Sequence, residues 1–181
     1  MAQSFNIQRK PALGKESIVK YGPVAGAAIT IFGFFIFFLG LLFNWVGGSV
    51  KLSGFKVLFD NDAVLIRGGF LNGLLCNLPF FLCGSLIIAI VILVGTLWKK
   101  MPTLPKLVGP AALGVLTLFS CCPGILFLID TESRVKDYGL GVNIGIGYFI
   151  SLFGLAVAFL GGIAAIASAI YGGGVPKFNR Q

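Results

Sequence analysis

Four continuous apolar runs of at least 22 residues constrain this sequence more than any other feature. They cover residues 24–45, 74–97, 107–129 and 140–171. A helix of that length crosses the roughly 30 Å of hydrocarbon at the centre of a bilayer. Only 11% of the 181 residues are charged, whereas soluble domains average about 25%. The pattern predicts an all-α transmembrane fold, a four-helix bundle that forms one membrane domain over residues 1–181.

Basic residues flank the predicted spans unevenly. Nine of the 14 lysines and arginines lie in the two terminal segments and between the second and third spans, and five lie in the other two loops. Basic residues concentrate on the cytoplasmic side of membrane proteins, so we expect an integral membrane protein with both termini cytoplasmic. The net charge of +8 is explained by this distribution, and no nucleic-acid partner is expected. Anionic lipid is the expected partner of the basic N-terminus.

The loop at residues 46–73 is the longest segment that is built for water, and the topology places it outside the cytoplasm. Residues 55–59 and 63–66 are rich in strand-forming side chains, and Asp60-Asn61-Asp62 between them is typical of a turn. We therefore predict a small β-hairpin between the first two helices, with Val50 and Leu52 as a candidate third strand. A disordered linker is the alternative.

This loop is the main candidate for binding a partner protein. Trp45 precedes it at the end of the first span, a depth that tryptophan favours in membranes. The candidate partner-binding side chains of the loop region are Trp45, Phe55, Val57, Phe59, Val64 and Ile66.

Small residues recur every four positions in the fourth span, at Gly154, Ala158 and Gly162. Such rows let helices approach closely in membranes. We favour a place inside the bundle for this row, but the same three residues could equally bind the helix of a partner subunit and are retained as candidate partner-binding residues.

The sequence offers little chemistry. It contains no histidine, and we predict no cofactor, no metal site and no enzyme activity. The four cysteines, Cys76, Cys83, Cys121 and Cys122, all lie in spans and form no C-x-x-C pair. We interpret them as apolar thiols, while a disulfide from Cys83 to Cys121 or Cys122 and a thiol oxidoreductase remain alternatives.

The middle of each predicted span lacks Asp, Glu, Lys and Arg, which argues against a coupled pump. Pro79 and Pro123 lie inside the second and third spans, where proline bends a helix. A small channel or transporter that uses these bends is therefore the main alternative function.

The tryptophan-then-glycine opening Trp45-Val46-Gly47, followed by Ser53-Gly54-Phe55, resembles small bacterial tetraspan proteins. The order of spans and loops is similar to that of claudin-like tetraspans. The claudin loop pattern of G-L-W before two cysteines is not reproduced, since Gly73-Leu74-Leu75 lacks the tryptophan. The resemblance implies topology only. We therefore expect an accessory, assembly or scaffold subunit whose partners are other integral membrane subunits.

Overall fold

A computed structural model describes residues 15–59, 82–95, 108–137 and 141–172 of the chain, with side chains from residue 21 onward. Three helices are long and apolar enough to cross a membrane: α1 (Lys15–Leu42), α4 (Val108–Asp137) and α5 (Ile146–Gly172). Two shorter helices are α2 (Gly54–Phe59) and the apolar α3 (Leu82–Gly95). The strands are β1 (Asn44–Gly48), β2 (Leu52–Ser53) and β3 (Val142–Ile144).

The three long apolar helices support the prediction of a mostly helical membrane protein. Helix α5 lies between α1 and α4, because its contacts with each of them far exceed those between α1 and α4. α1 and α4 run toward the small sheet formed by β1, β2 and β3, and α5 runs away from it. We call this end of the bundle, with the sheet and α2, the sheet end.

Glycine at every seventh position brings the backbones of α1 and α5 into direct contact. The pairs are Gly26 with Gly161, Gly33 with Gly154, and Gly40 with Gly147. A Cβ atom added to any of these six glycines would lie 2.7–3.0 Å from the carbonyl oxygen of the facing glycine. We call this row of pairs the glycine ladder.

The ladder has a definite chemistry. In glycine an Hα atom occupies the direction of the missing Cβ, so one Hα atom of each ladder glycine faces the carbonyl oxygen of its partner. Cα–H···O contacts at helix interfaces contribute about 0.5–1 kcal/mol apiece. Gly114 of α4 and Gly162 of α5 repeat the arrangement once, with added Cβ atoms at 2.7 and 3.4 Å from the facing oxygens.

Two apolar clusters fill the bundle on either side of its middle. The larger one, near the sheet end, contains aromatic side chains such as Phe34, Phe37 and Phe127. The smaller one contains Ala27, Ala89, Leu113 and Ala165. Large side chains are thus concentrated where the sheet, α2 and the long helices meet.

The small sheet has the strand order β2-β1-β3, with both pairings antiparallel. Val46 of β1 pairs with Leu52 on one side and Ile144 on the other. The sheet therefore joins the segment after α1 to the segment before α5. Gly48, with a φ of 101°, and Gly141, with a φ of 67°, adopt left-handed backbone where the strands turn.

A β-hairpin follows α1, as predicted, but other residues form it. The hairpin consists of β1 and β2, and Leu52 lies in β2 as expected for the candidate third strand, while Val50 lies in the connection. β3, which follows α4, was not predicted and replaces the start of the fourth predicted span. The predicted turn at residues 60–62 and the predicted strand at residues 63–66 lie outside the described residues.

The predicted strand at residues 55–59 is wrong, because these residues belong to α2. The Ser53 hydroxyl accepts a 3.4 Å hydrogen bond from the amide N–H of Lys56, which is the geometry of a helix N-cap. Within α2, Phe55 and Phe59 stack one helical turn apart. A pattern of apolar and polar side chains over only five residues fits either a strand or a helical turn. The Ser53 cap favours the helix here.

Three predicted helix boundaries also change. α1 begins at Lys15 rather than at residue 24, so that Pro23 lies inside it, and it ends at Leu42, three residues before the predicted end. α4 continues through the predicted loop as far as Asp137. Residues 130–137 form the ion pairs Asp130–Arg134 at 2.9 Å and Glu132–Lys136 at 2.6 Å, both one turn apart. Val135 is buried in the larger cluster, so this extension packs as well.

The ladder generates a stability prediction for Gly33→Ala. The added methyl group would lie 2.7 Å from both the Gly154 oxygen and the Ala158 Cα, so the helices must move apart. We expect a loss of about 1–3 kcal/mol, although alanine is the better helix former. Denaturant titration of the purified protein in detergent micelles, followed by circular dichroism, measures the loss.

Gly84→Ala in α3 is the matched control. Among the described residues, its methyl group would meet only the Leu116 Cδ1 atom, at 3.8 Å. This variant should be as stable as the wild type or slightly more stable. Equal stability of the two variants would show that the ladder does not hold α1 against α5.

Candidate partner-binding surface at the sheet end

Trp45 is the centre of the sheet end. Its side chain is 1% exposed although it belongs to β1, outside any helix. The indole N–H donates to the Gly40 carbonyl oxygen and to the Ser151 hydroxyl, both at 3.1 Å. The Ser151 hydroxyl in turn donates a hydrogen bond to the Phe37 carbonyl oxygen at 3.4 Å. One side chain therefore ties β1 to the end of α1 and the start of α5.

The rest of the indole contacts two further helices. Its ring lies 6.2 Å from the ring of Phe127 in α4, measured between centroids. A Cβ atom on Gly54, the first residue of α2, would lie 2.6 Å from the Trp45 Cε2 atom. We call these contacts of Trp45 with α1, α2, α4 and α5 the junction. Two backbone hydrogen bonds support it: the Gly54 N–H donates to the Phe43 oxygen at 3.1 Å, and the Gly145 N–H donates to the Trp45 oxygen at 2.8 Å.

Most of the sequence-predicted partner-binding residues turn out to serve the fold itself. Trp45 and Val57 are buried, so neither presents its side chain to a partner. Gly154 and Ala158 face α1 across the glycine ladder, and Gly162 faces Thr117 of α4. The row of small residues in α5 therefore faces other helices of the same bundle, which is the first of its two predicted roles. Val64 and Ile66 lie outside the described residues.

Phe55 and Phe59 alone of the described loop candidates remain on the surface. They are 43% and 64% exposed, and their rings stack with centroids 6.0 Å apart. Lys56, between them, and Lys51, in the β1–β2 connection, are exposed as well. In the described part of the chain neither lysine forms a salt bridge. α2 therefore presents two aromatic rings and a cation, held in place by the buried Gly54 and Val57.

A second exposed aromatic surface runs along α1. Phe34 and Phe37 point into the core, while Phe32, Phe35, Phe38 and Leu42 are exposed. These four residues recur every three or four positions and so share one helix face, which we call the phenylalanine stripe. Phe32 and Phe35 are each nearly 60% exposed, at 58% and 59%. The glycine ladder and the core lie on the opposite side of α1.

The extension of α4 forms a polar cluster at the sheet end. α4 has 30 residues, about 45 Å, which exceeds the thickness of the hydrocarbon and leaves residues 130–137 beyond it. The Tyr148 hydroxyl donates to the Glu132 carboxylate at 2.9 Å, and the Lys136 ammonium lies 2.6 Å from the same carboxylate. These partners, Lys136 foremost, lower the pKa of Glu132. The cluster therefore links α4 to α5 at neutral pH.

The cysteines and buried hydroxyls bear on the alternative functions. Cys83, Cys121 and Cys122 are free thiols; Cys121 is buried and the other two are exposed, and Cys76 lies outside the described residues. Of the three described cysteines, Cys121 alone is buried, as expected for an apolar thiol. The Thr30 and Thr117 hydroxyls are buried without a hydrogen-bond partner among the described residues.

Sequence reasoning missed the residues that matter most for the junction. The seven-residue spacing of Gly26, Gly33 and Gly40 is visible in the sequence, but the search for four-residue rows passes over it. Ser151 carries no sequence signal, because its role depends on meeting Trp45 from 106 positions away.

Comparison of the chain with protein-family models, curated proteins and solved structures found no match. The resemblance to claudin-like and small bacterial tetraspan proteins therefore stays a prediction about topology.

The junction predicts the effect of Trp45→Phe. Phenylalanine keeps an aromatic ring but leaves the buried Ser151 hydroxyl and Gly40 carbonyl without the indole N–H. The Ser151 hydroxyl still donates to the Phe37 oxygen and the Gly40 oxygen still accepts from the Phe43 N–H, so each lost hydrogen bond costs about 0.5–1.5 kcal/mol. We expect a lower free energy of unfolding and faster amide hydrogen exchange in β1 and β3, measured by mass spectrometry. Full stability together with wild-type exchange in the sheet would contradict this role.

Ser151→Ala makes the assignment specific. The double variant Trp45→Phe with Ser151→Ala should lose less stability than the sum of the two single variants. Both changes remove the same hydrogen bond, from the indole N–H to the Ser151 hydroxyl. Additive losses would show that the two residues act independently.

Proposed function

We propose that the protein is an accessory, assembly or scaffold subunit of a larger integral membrane complex. The observation that carries the proposal is the phenylalanine stripe, an exposed aromatic face on a helix whose other faces are fixed by the ladder and the core. Aromatic residues are enriched where proteins bind each other, since a rigid ring contributes a large contact area at low entropic cost. The partners are other membrane subunits with a complementary helix groove.

The proposed topology has four spans, with both termini cytoplasmic and the sheet end outside. The uneven distribution of basic residues supports this orientation. In it, the junction at Trp45 keeps the sheet end rigid while the stripe contacts a neighbour within the membrane. A rigid partner loses little conformational entropy on binding, which suits a scaffold role.

A small channel or transporter is the second candidate, and one observation favours it. The Thr30 and Thr117 hydroxyls are buried without a hydrogen-bond partner among the described residues, and their side chains pack against the adjacent glycines of α5: the Thr30 hydroxyl faces Gly161, and the Thr117 Cβ and Cγ2 atoms face Gly162. Unpaired hydroxyls inside a bundle are potential sites for a passing polar solute. Flux into liposomes that is abolished by Thr30→Val with Thr117→Val would support this function, and its absence at high protein density would exclude it.

The stripe gives the test of the subunit proposal. Phe32→Ala with Phe35→Ala removes two exposed rings without touching the ladder. We expect the tagged wild type, extracted from its native membrane in mild detergent, to purify with other membrane subunits in fixed ratio. The double variant should lose those subunits while keeping its own thermal stability.

Phe149→Ala with Phe153→Ala is the matched control, since these phenylalanines are equally exposed on α5, at 58% and 61%. It should retain the subunits. Purification of the wild type alone, without a stoichiometric partner, would overturn the proposal, and loss of partners from both double variants would show that the stripe is not the docking face.

A further inference from the structure

The position of α2 relative to α1 fixes its depth. The apolar part of α1, Tyr21–Leu42, has 22 residues and spans about 33 Å, close to the thickness of the hydrocarbon. Leu42 and Phe43 therefore lie at the boundary between acyl chains and headgroups. Gly54 packs on this level, because its added Cβ would lie 2.8 Å from the Leu41 Cα and its N–H binds the Phe43 oxygen.

At that level the outer surface is apolar and aromatic. Leu42 and Phe43 are 64% and 49% exposed, and α2 adds the stacked rings of Phe55 and Phe59. Four large exposed apolar side chains at one depth would be unfavourable in water. The headgroup boundary is the place where short helices bury one apolar face and keep their charged side chains in the polar layer.

The charges at this surface point to the same environment. Lys51 and Lys56 are exposed and form no salt bridge in the described residues, whereas Asp130 and Glu132 on the α4 extension are already paired with Arg134 and Lys136. A lysine near an anionic membrane surface is attracted to the negatively charged lipid phosphates. Long lysine side chains also reach from an apolar level to the phosphate layer.

We propose that α2 is an interfacial helix that inserts Phe55 and Phe59 at the acyl-chain boundary, while Lys51 and Lys56 bind the phosphates of anionic phospholipids. This inference goes beyond the subunit proposal, which depends on the phenylalanine stripe of α1. It assigns lipid, rather than a protein, as the occupant of the α2 surface. A protein partner or a second copy of this chain at α2 is the competing outcome.

Spin labels measure the depth of α2 directly. In protein with all four cysteines changed to alanine and reconstituted in bilayers, one label is attached at Phe59→Cys. Reference labels are attached at Phe35→Cys on the stripe and at Lys136→Cys, whose side chain is 69% exposed. We expect the Phe59→Cys label to collide often with oxygen and rarely with a water-soluble nickel chelate, as at Phe35→Cys.

Two results would overturn the insertion. Nickel collisions as frequent as at Lys136→Cys would place α2 in water. Low collision rates with both reagents would show that a second copy of this chain covers α2, because the purified sample contains no other protein.

Anionic lipid binding is tested with the native cysteines in place. Replacing phosphatidylcholine by phosphatidylglycerol in mixed micelles should raise the thermal midpoint of the wild type. Lys51→Gln with Lys56→Gln should lose at least half of that rise, whereas Lys136→Gln should keep it. An undiminished rise in the double variant would refute the phosphate contact. Both measurements use the purified protein alone, so either can fail without affecting the co-purification test of the stripe.

Discussion

The direct backbone contact between α1 and α5 is the constraint on which the rest of the structure depends. In lipid, apolar side chains gain little by leaving their solvent, so helices associate through close packing and weak hydrogen bonds. The three glycine pairs of the ladder meet both conditions, because Hα atoms and carbonyl oxygens face each other at every seventh residue. Once α1 and α5 are fixed at this distance, their remaining faces decide what the other elements can do.

The ladder ends where the junction at Trp45 begins. Gly40 belongs to both: it faces Gly147 across the ladder, and its carbonyl oxygen accepts the hydrogen bond of the indole. Trp45 then connects the helix pair to β1, to α2 through Gly54 and to α4 through Phe127. The order of dependence runs from backbone contact to junction to surface. A change in the ladder is therefore expected to shift α2, because α2 is positioned through the contact of Gly54 with Trp45.

The sequence predicts the three long apolar helices, because long apolar runs are a local pattern. It misplaces the hairpin, since β1 and β2 both precede the predicted strand at residues 55–59. It does not predict where Trp45 lies. A tryptophan after an apolar run favours the membrane interface, whereas its burial depends on contacts with Ser151, Phe127 and Gly54 that no local pattern reveals. Residues 55–59 illustrate the same limit, since their pattern fits a strand until the Ser53 cap is recognised. The small residues of α5 are visible in the sequence, but which face α1 and which face α4 depends on how the helices are arranged.

These assignments divide the surface into parts with different occupants. The glycine-rich faces are used within the chain, the phenylalanine stripe is proposed to bind a protein, and α2 is proposed to bind lipid. Each depends on the ladder lying inside one chain. Solid-state NMR of glycine-labelled protein in bilayers tests this most directly, through contacts between the α-carbon of Gly154 and the carbonyl carbon of Gly33. The account predicts that these contacts persist when labelled chains are diluted with unlabelled ones. Their absence, or their loss on dilution, would show that α1 and α5 do not form this seam within one chain.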